Sequence, residues 1–91
     1  MSTVPEAPVI PITRDIAAQW MQISYMSSIC RAIVVDLTGC GYAEDVWQPI
    51  IGAIGRGVDV TVRVRAGTQP ARRAEVYRLD TLTGITLEVE P

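Results

Sequence analysis

Two adjacent carboxylates, Glu44 and Asp45, stand where a run of small residues meets an apolar segment, in "AIVVDLTGCGYAEDVWQPIIGAI" (32–54). Acid–base catalysis by such a pair needs a second carboxylate, a base or a metal ligand nearby to set its pKa values apart. The neighbouring sequence offers none. Acids at a helix start are stabilised by the macrodipole, and Asp45 with Gln48 three residues on has the outline of a capping box. Capping is therefore the first expectation for these acids, and a docking surface for another molecule is the second.

Other chemistries are limited by residue types. The chain has no His, so neither a Ser-His nor a Cys-His nucleophile pair can be assembled, and the commonest zinc ligand is missing. Cys30 and Cys40 form no CxxC and have no partner pair. They flank a strand-like run, whose two ends would have to meet for a disulfide, and they read as small apolar residues in a reducing compartment. "GAIGRG" (52–57) sits at a helix end rather than between a strand and a helix start, which is the wrong place for a phosphate loop.

Six arginines fall between Arg56 and Arg78 against Asp59 and Glu75. A basic band of this kind can bind phosphate or nucleic acid. Tyr77 is its only aromatic, though, and strand alternation plus helical spacing scatter the arginines over several faces. A solvated surface is the better expectation, and nucleic acid is not the expected partner.

These residues must be positioned by a small scaffold. Ninety-one residues, 48% hydrophobic, with a net charge of −2, describe one globular domain with a modest core. No apolar run is long enough to span a bilayer, and residues 1–11 lack the charged start and apolar centre of a secretory signal, so membrane insertion is not expected and the expected address is the cytoplasm. Residues 1–8 read as a loose leader and 9–91 as the single domain.

"VIPIT" (9–13) is a short β-branched stretch that Pro11 assigns to a sheet edge. Thr13 or Asp15 can cap the helix after it. In that helix Ile16, Trp20, Ile23 and Met26 or Ser27 recur at helical spacing, widened by Met21 and Tyr25, and the stripe is expected to be core. "AIVVDLT" (32–38) fits a central parallel strand, followed by a turn permitted by Gly39 and Gly41. A second helix is expected over 45–56, buried through Val46, Ile50, Ile51 and Ile54 and stopped by Gly57. Trp47 lies about a quarter turn off that stripe, which leaves it either buried or at least partly exposed, and in the second case it is the leading contact residue.

"VDVTVRV" alternates cleanly, with Val58, Val60, Val62 and Val64 on one face, and "ITLEV" does the same. Between them a helix is expected from Pro70 to near Gly84, with Ala74, Tyr77 and Leu82 inward. Strand and helix alternate three times before a last strand. The expected fold is α/β in two layers, a mostly parallel four-stranded sheet with all helices on one face. The other face, bearing Asp59, Arg63 and Arg65, stays open.

With this layout, residues 32–54 resemble the central segment of the STAS domain, the fold of anti-sigma-factor antagonists and sulphate-transporter tails. Asp36, Leu37, Thr38 and Gly39 match the family's Asp-Leu-Ser-Gly, and Tyr42 its aromatic position; "VVDLTG" is the most specific part. The similarity runs from about Val9 to Val89, and the family's first strand is missing. Glu44 and Asp45 occupy the places of the family's Asp and phosphorylated Ser or Thr, so the usual kinase target is absent, and a carboxylate there resembles a permanent, weaker phosphate. The resemblance implies a non-enzymatic, cofactor-free module that docks a partner protein through Thr38, Tyr42, Glu44, Asp45, Trp47 and Gln48. Partners of such domains include anti-sigma-factor kinases and the ATPase subunit of a transporter. The alternative is a self-associating scaffold that pairs its open sheet face or its edge strands.

Overall fold

The computed structural model describes residues 7–91. Four strands, β1 (Val9–Pro11), β2 (Ala32–Asp36), β3 (Asp59–Arg65) and β4 (Ile85–Glu90), form one sheet in the order β1-β2-β3-β4, and every neighbouring pair is parallel. Helices α1 (Ala17–Ile29), α2 (Trp47–Gly55) and α3 (Gln69–Val76) make the three crossovers. Because each connection moves one strand along in the same direction, right-handed crossovers place all three helices on one side. The expected two-layer α/β fold is what the chain forms. Of the leader expected over 1–8, residues 1–6 lie outside the described residues, whereas the Pro8 carbonyl already accepts the Val34 amide at 2.8 Å.

Alternation decides which strand residues enter the core. Val60, Val62 and Val64 are buried, and the same rows carry Ile33 and Val35 on β2 and Ile10 on β1. They pack against Ile23 of α1, Trp47, Ile50 and Ala53 of α2 and Ala74 of α3. The opposite rows hold Asp36, Arg63 and Glu88 side by side, with Arg63 Nε 2.9 Å from Glu88 Oε2. β1 sits at the sheet edge, where the missing N–H of Pro11 breaks no ladder.

Three local expectations are corrected. The stripe expected in α1 is core only at Ile23 and Ser27; Ile16, Trp20, Met21 and Tyr25 are all exposed, the last two at 64%. A 13-residue helix without a single charge presents no polar face by which sequence could orient it. On α2, Ile51 is likewise 47% exposed, whereas Val46 and Ile50 are buried as expected.

The third helix is shorter than expected. α3 stops at Val76, Arg78 takes a left-handed conformation (φ 53°), and a 3₁₀ turn follows over Leu79–Thr81. This reversal turns Leu79 fully into the core, leaving Tyr77 and Leu82, expected inside, 39% and 43% exposed. Gly57 ends α2 as expected, at φ 85°, a left-handed geometry that a side chain would strain. Gly39 and Gly41 hold no positive φ, so their turn does not require glycine.

Candidate functional site

The loop from Leu37 to Val46 leaves the carboxyl end of central strand β2, the end of a parallel sheet where ligands and partners commonly meet α/β proteins. Its first turn is closed by Asp36, whose Oδ1 accepts both the Thr38 amide (3.0 Å) and the Thr38 hydroxyl (2.6 Å). Partial burial pushes the Asp36 carboxyl up, but these two hydrogen bonds and the nearby Arg63 charge outweigh it and hold the group below the usual carboxylate value. Thr38 is thus occupied with the turn, as the structural residue of its motif would be.

Further along, the Cys40 thiol donates to the Tyr42 carbonyl at 2.9 Å, and Cys30 and Cys40 are both free thiols. Trp47 is 2% exposed, its indole N–H donating to the Ala43 carbonyl at 2.8 Å and its ring meeting Tyr77 edge-on at 5.8 Å. Of the two placements open to Trp47 the buried one holds, so its expected role as a contact residue is corrected. A quarter turn away from the α2 stripe leads inward, because α3 and Tyr77 close over that side. Trp47 shapes the loop from beneath and offers no ring to a visitor.

Capping is also resolved differently. Val46 is the residue that precedes α2, and no side chain of the local sequence caps it; Gln48 donates its amide to the backbone carbonyl of Asp45 at 3.3 Å. The cap arrives from elsewhere. Asp15, in the loop between β1 and α1, accepts the amides of Glu44 (2.7 Å) and Asp45 (3.0 Å) on Oδ2 and of Val46 (3.1 Å) on Oδ1. One carboxylate satisfies three donors at the positive end of α2.

Asp15 is consequently unavailable to α1, whose N-cap Ile16 has no side-chain bond, correcting the expected role of Thr13 or Asp15 there. Gln19 steadies that start by accepting the Arg14 amide at 2.9 Å and donating to the Pro11 carbonyl at 3.2 Å.

From the other flank, Gln69 Oε1 accepts the Ala43 amide at 2.8 Å, and Arg73 Nη2 lies 2.7 Å from Glu44 Oε1. Sequence reasoning had no signal for Gln69 and Arg73, which meet the loop 26 and 29 residues away. Asp15 carried one, as a helix-capping residue type, but pointed to the nearer helix.

The exposed side chains of the loop then divide. Tyr42, 55% exposed, and Glu44 line an open concavity with Gln69, Arg72, Arg73 and Val76 of α3. The Glu44 carboxylate beside it raises the Tyr42 phenol pKa above its usual value. Asp45 and Gln48 face the other way, bounding a groove of about 260 Å³ with Ala17 and Trp20 of α1. Glu44 is ion-paired, whereas Asp45 has no ion-pair partner among the described residues.

The arginines of the basic band are dispersed as expected. Arg56 donates to Ser27 Oγ between α1 and α2, Arg63 pairs with Glu88 on the open sheet face, and Arg73 belongs to the loop site. Compared with models of known protein families, with curated proteins and with solved structures, the chain finds no significant match.

Proposed function

We propose that the protein is a non-enzymatic interaction module of STAS-like type. In this reading a partner protein docks on the solvent-facing side chains of the Thr38–Gln48 segment: Tyr42, Glu44, Asp45 and Gln48. Thr38 and Trp47 act beneath that surface by fixing the turn and the loop.

The observation that carries the reading is the way the loop is held. Its backbone is clamped by Asp15 on one flank and Gln69 on the other, yet an aromatic ring and two acids stand out from it. A surface already fixed in its bound shape spends little ordering entropy on association, and tyrosine is a favoured anchor of interfaces. The match of 36–39 to the Asp-Leu-Ser-Gly motif supports the same segment. Asp45 in the phosphoacceptor's place fits a partner that recognises constant negative charge rather than a phosphorylation cycle.

Photo-crosslinking tests this directly. With p-benzoylphenylalanine at position 42, a specific protein adduct is expected from lysate of the source cell, and Asp45→Arg should abolish it. A control probe at the exposed, distant Thr83 should give none. Equal labelling from both positions, or an adduct indifferent to Asp45→Arg, overturns the proposal.

A further inference from the structure

The outward face of α1 carries three of the four most exposed large hydrophobic residues among the described residues. Met21, Tyr25 and Ile29 are 64%, 64% and 61% exposed, and with Ala18 and Ser28 they recur at the three- and four-residue spacing of one helix face. Trp20 and Ile16 extend the apolar surface towards α2. A helix face turned to water is ordinarily charged, as α3 is with Arg72 and Glu75, but α1 contains no charged residue at all. Its exposed side chains amount to roughly 500 Å² at the areas typical of such residues, the upper part of the range for a patch on a monomer.

From this geometry we infer that α1 is a homodimerisation face, packing antiparallel against α1 of a second copy. Two properties select a second copy over another occupant. A two-fold interface lays each patch on itself, so any charge near the axis would meet its own sign; a helix of thirteen residues with none removes that obstacle. With the axis at the level of Ile23, Met21 of one copy lies opposite Tyr25 of the other. Ile29 lies opposite Ala17, large against small, Ala18 lies opposite Ser28, where two small residues let the backbones approach, and at the Met21–Tyr25 pair sulfur meets an aromatic ring.

The ends then complement one another. Arg31 is exposed, follows the helix by two residues and has no ion-pair partner among the described residues. At 1.5 Å per residue the antiparallel pairing carries it to the level of residue 15 in the second copy. There Asp45 borders the Ala17–Trp20 groove, also without an ion-pair partner. Apolar face and rim together reach about 600 Å² per copy, the small end of specific interfaces. Tyr42 and Glu44, on the α3 side of the loop, stay outside this contact.

Sedimentation equilibrium of the whole chain from about 1 μM to 1 mM tests the inference. A monomer–dimer equilibrium is expected, with Met21→Glu and Tyr25→Glu each raising the dissociation constant at least about tenfold. Both positions are exposed, so the far-ultraviolet circular dichroism and melting temperature of these variants should match the parent. Arg31→Glu and Asp45→Arg should each weaken the dimer, and combining them should restore it. A chain that is monomeric throughout, or a dimer indifferent to Met21→Glu, overturns the inference. So does a monomer that floats with phosphatidylcholine vesicles, which would assign the face to a lipid surface. Because Asp45 serves both surfaces, the crosslink at position 42 is repeated in Met21→Glu, where the dimer is lost and the docking adduct should remain.

Discussion

Asp15 Oδ1 accepts the Val46 amide at 3.1 Å, joining the loop before α1 to the residue that precedes α2 across 31 positions of sequence. Oδ2 adds the amides of Glu44 and Asp45. Replacing Asp15 by Ala leaves three donors at a helix N-terminus without their acceptor, and a loss of about 2 kcal/mol is expected. Asp15→Asn keeps one carbonyl oxygen and should lose roughly half as much. Urea titration of the three proteins checks both, and equal midpoints would remove the clamp from the account.

The two tryptophans should report separately. Trp47 is 2% exposed and Trp20 37%, so acrylamide should quench one component of the emission readily and the other poorly. Trp20→Phe should remove the quenchable component and leave stability nearly unchanged. Trp47→Ala empties a core position and cuts the bond to Ala43, and should cost about 3–5 kcal/mol. Uniform quenching in the parent protein would contradict this placement.

Asp36 sets an acid limit on stability. Its carboxyl titrates below the usual value in the folded chain, so at intermediate pH the unfolded chain binds more protons and stability rises with pH. Its contribution is complete above about pH 4, near the unfolded value, and is lost as pH falls through the lower folded value. Thr38→Val removes the hydroxyl that donates to Asp36 and should flatten this part of the profile. Unfolding midpoints between pH 2 and pH 6, roughly the range of carboxyl titration, measure the difference.

Arg78 holds the one left-handed non-glycine conformation among the described residues. Arg78→Gly relieves that geometry at the cost of a more flexible unfolded chain, and a net gain of about 0.5 kcal/mol is expected. A loss instead would mean that the side chain contributes through contacts beyond its backbone.

Legibility followed the range of each interaction. Val58–Val64 read correctly because alternation is written within a few residues and one face is buried; Ile85–Val89 read correctly as a strand, but at the sheet edge Ile85 and Leu87 are only partly buried and Val89 is 55% exposed. With helices between them, sheet class and order followed. The burial of α1 did not follow, because its glutamines and serines are spread around the helix with no charge to mark an outer face, and only the absence of a neighbouring layer leaves Met21 and Tyr25 in water. Asp45 looked like a cap because capping signals are local, whereas the acting cap, Asp15, belongs to a loop about thirty residues earlier. Trp47 turned inward for a similar reason: Tyr77, the ring it meets, comes from the end of α3. Side chains whose roles are set by distant partners leave no periodic trace.

On the uncovered side of the sheet, register places Asp36, Asp59, Glu88 and Glu90 among Arg63 and Arg65. Laying two such layers together would dehydrate ionised groups on both and bring a surplus of carboxylates into apposition. Sandwich-style stacking through this side is thereby penalised, which makes the bare layer a poor seam between copies of the chain.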